Sequence, residues 1–383
     1  MTYTDIVTPV FRHARARPDQ PAFTFGDQVL TYAGLEDQAR RIAAALLASD
    51  IGKGDRVAVF TPNRPELFSV HLGLALIGAT IVPVNSEFAA DEVRYILEHS
   101  DAALILRAGS LAAQVTGACD GWDDAPRIED LDGFLEQAAG LAPYRGPQAG
   151  FGDDLVLLCY TSGTTSTPKG VAASHANELA SAIAYSEMMA ITPEDSELIT
   201  LPLSFSYGFH AAAYVALLSG ATIILTEKFH PRQALEIIDR QHPTIFLGVP
   251  TMYAMMADVA QKDGIPYDLS SLRMAASSGA VLNEQTLLDC RKHLGIDVWP
   301  YYAMTEVRPI FSFDLRHPTM PPVGSVGRLI APTEVRLVGD DGQDVDDGAT
   351  ALAVSSNGTG PARNWSRGDH RNRRAGASRA GGC

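Results

Sequence analysis

An α/β fold, with helices layered on mostly parallel sheets, is what this chain predicts, and three observations carry the expectation. Helical and strand patterns alternate. Residues 35–50 repeat apolar positions at helical spacing and lead into "DRVAVF"; "ELFSVHLGLALIG" leads into "ATIVPVN", and "ADEVRYILEHS" into "AALILRA". The strand candidates are short apolar runs bounded by glycine or polar turns, as buried strands of parallel sheets are. After a polar stretch at 109–152, rich in Gly, Asp and Pro and read as a surface connection between two such halves, the alternation resumes. It runs through "LVLLCY", "NELASAIAYSEMMAI", "SELITLPL", "PRQALEIIDRQ" and "PTIFLGV". Around residue 324 the texture changes to "GSVGRLIAPTEVRLVGDDGQDV", where β-branched alternation and an Asp-Asp-Gly turn predict a small β unit.

With 383 residues and 46% hydrophobic content, the chain can bury a large core and divide into more than one domain. A formal charge of −15 gives no electrostatic footprint for nucleic acid or an anionic membrane, which leaves small molecules as the expected partners. Cys119, Cys159, Cys290 and Cys383 are scattered without CxxC spacing, so neither a disulfide framework nor a zinc site is suggested, and a reducing cytoplasm fits. The N-terminus lacks the unbroken apolar run of an export signal. The most apolar window, "FHAAAYVALLSGATIILTE", is interrupted by Ser219, Gly220 and Thr222; a buried helix, a glycine turn and a core strand explain it better than a membrane span. The oligomeric state is left open.

"YTSGTTSTPKG" (160–170) places threonine and serine hydroxyls and glycines ahead of one lysine. Glycines let backbone N–H groups approach phosphate oxygens, hydroxyls add donors, and lysine supplies a mobile charge. A Walker A loop would need Gly-Lys-Ser/Thr opening a helix; here Lys169 is followed by Gly170 and "VAAS", which reads as a strand. The expected form is a strand-turn-strand clamp, set against the bland alternative of a solvated hairpin.

The order of residues in this loop resembles the signature of the AMP-forming acyl-activating enzymes: acyl-CoA synthetases, luciferases and peptide-synthetase adenylation domains. "YYAMTE" (301–306) is similar to that family's Tyr-Gly-Met-Thr-Glu, with Ala303 in place of glycine; "SSGAVL" (277–282) resembles its Gly-Ala-Ala-Pro-Leu segment, "LPLSFSYGF" its substrate-pocket strand, and "GSVGR" its next turn. The resemblance implies a large N-terminal domain of two αβ-layered sheets (1–323), a partial β subdomain (324–354), and the absence of the mobile C-terminal domain. It also implies attack of a carboxylate on the α-phosphate of ATP, giving acyl-AMP and pyrophosphate, then transfer to coenzyme A or, in the rival form, to an acyl carrier protein.

Both reactants are anions, and two unit charges ~4 Å apart repel by about 4 kcal/mol at an effective dielectric near 20. By the resemblance, Mg²⁺ between them is held by Glu306, with Thr305 bonding the α-phosphate. Thr161, Ser162, Gly163, Thr164 and Thr165 would wrap the β- and γ-phosphates, and Lys169 would assist pyrophosphate departure. Tyr302 would stack on adenine, or else be a plain core tyrosine; Ser278, Gly279 and Ala280 would line the base and acyl tunnel. For the acid, Phe205, Ser206, Tyr207, Gly208, Phe209 and His210 form the pocket candidates. Ser206 stands where amino-acid-activating members carry an aspartate, which disfavours an α-amino acid, and the aromatics suit an aryl or medium apolar carboxylate or else belong to the core. His210 reads as a satisfied pocket or core histidine rather than a base, because a carboxylate needs no deprotonation at pH 7.

The family's catalytic lysine lies near its C-terminus, whereas the last lysine here is Lys292. Residues 355–383 carry six arginines and one acid with almost nothing large and apolar, so they are expected to be a disordered, frameshifted or artificial tail, in which Asp369 of "RGDH" is only a faint match to the family's ribose aspartate. Slow adenylation and almost no thioester formation are the expectations for this chain, with a non-catalytic nucleotide- or acyl-binding fragment as the alternative that the missing lysine supports.

Overall fold

Alternating helix and strand patterns become layers because each apolar face needs a partner. The computed structural model describes residues 3–161, 168–264, 266–312, 324–330 and 335, and the backbone of 363–364. The chain begins with α1 (Val7–Ala16), β1 (Pro21–Phe25), β2 (Gln28–Thr31), α2 (Tyr32–Ala48), β3 (Arg56–Phe60), α3 (Glu66–Ile77), β4 (Thr80–Val84), α4 (Ala90–Ser100) and β5 (Leu104–Arg107). It continues through α5 (Ala112–Cys119), β6 (Arg127–Asp130), α6 (Leu131–Ala139), β7 (Leu155–Thr161), β8 (Lys169–Ser174), α7 (His175–Met189) and β9 (Ser196–Ile199). A π-helix at Tyr207–Tyr214 runs into α8 (Val215–Ser219), followed by β10 (Thr222–Leu225), α9 (Pro231–Gln241), β11 (Ile245–Gly248), α10 (Pro250–Asp263), β12 (Met274–Ser277), α11 (Glu284–Asp289) and β13 (Val298–Pro300). Three two-residue strands complete the set: β14 (Phe311–Ser312), β15 (Arg328–Leu329) and β16 (Arg363–Asn364).

Local chemistry sets the helix starts. Thr31 accepts from the Gly34 N–H at α2, Ser174 and Asn177 form a reciprocal capping box at α7, and α9 and α10 open on proline, whose missing N–H costs nothing there. In α3 every residue after Glu66 is buried, which marks it as a helix enclosed on all sides. It packs so closely on α2 that a Cβ at Gly73 would lie 2.8 Å from the Ala39 carbonyl oxygen.

Two seven-stranded sheets result, in the orders β13-β12-β11-β9-β10-β1-β2 and β16-β8-β7-β4-β3-β5-β6. Pairing is parallel except at β1–β2, β7–β8 and β8–β16. The expectation of two α/β-layered, mostly parallel sheets therefore holds. The sheets are not successive halves of the chain, however: β1 leaves the N-terminus to pair with β10. The largest apolar cluster joins both sheets, with Ile81 and Leu157 of one and Ile223 and Leu247 of the other sharing contacts with α2, α3 and α7. Smaller clusters cover the opposite faces under α9–α10 and α4–α5. A fully buried Phe or Leu such as Phe68 or Leu35 contributes roughly 1.5–3 kcal/mol to this arrangement.

Two local expectations are corrected. Residues 109–152 are not a bare connection: Leu111, Val115 and Ala118 anchor α5, Leu131, Phe134 and Ala138 anchor α6, and β6 forms the sheet edge beside β5. "LPLSFSYGF" is not a strand either. After Leu203 the chain turns into the π-helix, because Gly208 and Ala211–Ala213 are small enough for the backbone to lie against its neighbours; a Cβ at Gly208 would come within 2.4 Å of the Pro202 carbonyl oxygen. Of the β unit expected at 324–354, β15 pairs with β14, and its Asp-Asp-Gly turn lies outside the described residues. So does the expected tail, apart from the β16 backbone paired to β8. Among the described residues no helix is long and apolar enough to cross a membrane.

Candidate active site

Strands β7 and β8 are antiparallel neighbours, with Thr161 opposite Lys169, so the two strands that flank the hydroxyl-rich segment pair with each other. Thr161 is half-buried and Lys169 exposed. Ser162, Gly163, Thr164 and Thr165 lie outside the described residues. Two positions before Thr161, Cys159 is fully buried, its thiol 4.0 Å from the Ser204 carbonyl oxygen. Burial pushes this thiol up to about 12, while Arg308, Glu178 and Glu306 all act on it electrostatically. The base of the hairpin, the 204–206 segment and the Thr305–Arg308 segment thus meet at one place.

The second wall is a loop closed on itself. Tyr302 and Phe311 exchange backbone hydrogen bonds of 2.9 and 3.1 Å, and Met304 and Val307 exchange bonds of 2.9 and 3.2 Å, which places Thr305 and Glu306 at the tip of a tight turn. Both are half-buried. Tyr302 is 38% exposed, so it is a surface aromatic with a free face and not a plain core tyrosine. Ser278, Gly279 and Ala280 follow the end of β12 beside β11, where the Ser278 N–H donates to the Gly248 carbonyl at 3.4 Å. Gly279 has φ +84°, a left-handed conformation that suits glycine, and it and Ala280 are exposed.

The acid-pocket candidates divide. Phe209 is fully buried, stacked on Phe68 at 4.8 Å and edge-on to His71 at 4.9 Å, and belongs to the core. Phe205 and Tyr207 are half-buried, Ser206 and Gly208 buried. The Tyr207 hydroxyl donates to the Gly248 carbonyl at 3.2 Å, and its ring stands edge-on to Tyr301 at 5.9 Å. His210 has no exposure; its Nδ1 meets Glu178 Oε2 at 2.5 Å and its Nε2 meets Ser181 Oγ at 2.7 Å. Burial and the Arg308 charge hold His210 below its usual range, so the neutral ring donates from Nδ1 to Glu178 and accepts the Ser181 hydroxyl. It is the satisfied histidine its sequence context suggests, not a base.

Glu178 and Arg308 are the residues that sequence reasoning missed. Arg308 bonds Glu178 Oε1 and Ser206 Oγ, and the two side chains are 7% and 1% exposed. Burial pushes the Glu178 carboxyl up, but the Arg308 charge and the hydrogen bond from His210 outweigh it and hold the group down at about 2. The signal was present: Glu178, Ala182, Tyr185 and Met189 occupy one helical face of α7, and all are buried. A carboxylate at such a position requires a buried cation.

Among the described residues no cluster of three or more His, Cys, Asp or Glu side chains could hold a metal by itself. Glu306, a single half-buried carboxylate on a turn, fits a hard ion such as Mg²⁺, which keeps waters and takes much of its coordination from substrate phosphates.

The family described as AMP-binding enzyme matches residues 10–359, and the chain belongs to it. An indoleacetate–CoA ligase of Aromatoleum aromaticum is 30% identical over 348 residues, spanning 88% of this chain and 67% of its own length. A feruloyl-CoA synthase of an Amycolatopsis species is 32% identical over 363 residues, spanning 90% and 68%. The inhibitor-bound N-terminal domain of FACL13 from Mycobacterium tuberculosis superposes with a TM-score of 0.81 at 27% identity, over 90% of this chain and 86% of that one. The chain thus spans about two thirds of the length of these two ligases.

Proposed function

We propose that this chain carries the adenylation site of an acid–thiol ligase. A carboxylic acid attacks the α-phosphate of ATP, the bond to the β-phosphate breaks, and acyl-AMP and pyrophosphate form; in an intact relative the acyl group then passes to the thiol of coenzyme A and AMP leaves. One observation carries this reading: Cys159 at the hairpin base meets the Ser204 carbonyl, and Arg308, which closes on the Thr305 carbonyl, bonds Ser206, so the three segments lie together. Hydroxyl donors, one carboxylate and an aromatic-walled recess are what a triphosphate and an apolar acid require of a single site.

In this reading Thr161, Ser162, Gly163, Thr164 and Thr165 bind the β- and γ-phosphates, and Lys169, exposed at the start of β8, approaches the departing pyrophosphate. Thr305 donates to the α-phosphate and Tyr302 offers its exposed face to adenine, with Ser278, Gly279 and Ala280 beside it. Glu306 would hold Mg²⁺, which when bound neutralises charge between the two anionic reactants. Ser206 and Tyr207 wall the acid. The setting is cytoplasmic, with small molecules as partners. A relative's acceptor need not be this chain's, and an acyl carrier protein is the alternative.

The test is ATP–pyrophosphate exchange scanned over aryl, indolyl and medium-chain acids. Acid-dependent exchange is expected, and Glu306→Gln should lower it about a hundredfold with an unchanged circular dichroism spectrum. Exchange with no acid, and no ATP binding by calorimetry, would refute the assignment.

A further inference from the structure

Glu197 lies in the middle of β9, fully buried, and neither carboxyl oxygen has a hydrogen-bond partner. It is aligned in the sheet with Ile223 of β10 and Ile245 of β11, both members of the cluster that also contains Tyr301 and Trp299 and against which Tyr207 packs. It lies close enough to Tyr207, Tyr253 and Tyr301 to act on them electrostatically when ionised. The buried Tyr301 hydroxyl also lacks a partner within ordinary hydrogen-bond geometry, although it lies close enough to Tyr185 and Tyr207 to interact with both. So unsatisfied polar atoms collect on the sheet face beneath Tyr207, where apolar side chains would otherwise continue the core.

Proteins rarely leave such groups unmet, since an unpaired buried polar atom costs free energy that an apolar residue of equal size would avoid. The neighbouring cation does not relieve Glu197, because Arg273 is engaged by Asp195 at 2.7 Å through both Nε and Nη2 and also donates to the Met189 carbonyl. Burial pushes the Glu197 carboxyl well above its usual range, with Asp195 adding to the effect, so it is a neutral acid with one O–H to give and one carbonyl oxygen to share. A group that satisfies both must itself accept and donate. A hydroxyl does this; an alkyl or halogen end does not.

We propose that Glu197 is a specificity residue on the floor of the acid pocket, and that the preferred substrate is a carboxylic acid carrying a hydroxyl at its far end. The proposal rests on the adenylation reading above and deepens it. A buried water has the same hydrogen-bonding chemistry, and the experiment separates the two.

Matched acids that differ only by the terminal hydroxyl, such as 4-hydroxyphenylacetate with phenylacetate and 6-hydroxyhexanoate with hexanoate, are compared by ATP–pyrophosphate exchange and by calorimetric binding to the full chain. Wild type should prefer the hydroxy member of at least one pair by tenfold or more. Glu197→Leu should abolish that preference while raising Tm in the absence of acid, and Glu197→Gln should keep part of it. If Glu197→Leu alters both members of every pair equally, or wild type shows no preference at any length, the carboxyl serves a buried water and the proposal fails. If no acid supports exchange or binds to any variant, the adenylation reading fails with it.

Discussion

Replacing Arg308 by methionine removes the cation from a buried network and keeps most of the volume. The Glu178 carboxyl is moved from 4.5 to about 2, which at about 1.4 kcal/mol per pKa unit corresponds to roughly 3 kcal/mol of stability. Because the folded-state value is depressed, this contribution is fully present above about pH 4.5 and is lost as pH falls towards 2. At pH 7.5, Arg308→Met strands a carboxylate that is 1% exposed, with only a neutral histidine and no cation beside it. The expected cost is about 3–5 kcal/mol, the range for breaking one side of a buried pair. Glu178→Gln combined with Arg308→Met should recover about 2 kcal/mol or more of that loss, because neither charge is then stranded. Urea unfolding of the four proteins, read as a change in midpoint at constant slope, measures the cycle. A single-variant loss below about 1 kcal/mol, or strictly additive effects, would show that the pair is solvated and that the electrostatic argument for the turn is wrong.

Gly208→Ala should cost about 2–4 kcal/mol and lower Tm, because the new methyl would sit 2.4 Å from the Pro202 carbonyl oxygen and 3.1 Å from the Leu201 Cβ, and neither of these can rotate away. Acid sensitivity should come from the histidines. Burial holds His71 at about 3 and His175 at about 4, so between pH 6.5 and those values the unfolded chain binds protons that the folded one refuses. Stability therefore falls as pH drops below 6.5, by about 2 kcal/mol for each histidine at pH 5, and unfolding at pH 5 and 7.5 measures the difference.

The layered α/β architecture was legible because its strands are nearly pure apolar runs, such as "RVAVF" and "TIVPV", buried at every position. Residues 109–152 misled because glycine, aspartate and proline weigh heavily in a local reading, whereas Val115 and Phe134 fold helices through contacts supplied by distant segments. Sheet membership was hidden for a related reason. Nothing local to "PAFTF" states that its neighbour is β10, some two hundred residues on. The π-helix at Tyr207–Tyr214 was invisible to periodicity, since its repeat matches neither the helical nor the strand template and short aromatic runs fit both.

The site shows the same division between motif and context. "YYAMTE" and the hydroxyl loop could be read because their residue types follow from what a phosphate needs, and such needs are local. Glu178 and Arg308 are 130 positions apart, and each alone looks like a solvated charge. Only the buried face shared with Ala182, Tyr185 and Met189 marks Glu178 as costly, and only the fold supplies the guanidinium that makes it tolerable. That guanidinium also bonds Ser206, so one ion pair ties α7, the 204–206 segment and the Thr305–Glu306 turn together. An apolar pair could fill the same space at lower electrostatic cost, but it would not fix three segments by direction as well as by distance, and the proposed reaction, which would depend on where Thr305 and Glu306 point, would need the directional kind of support.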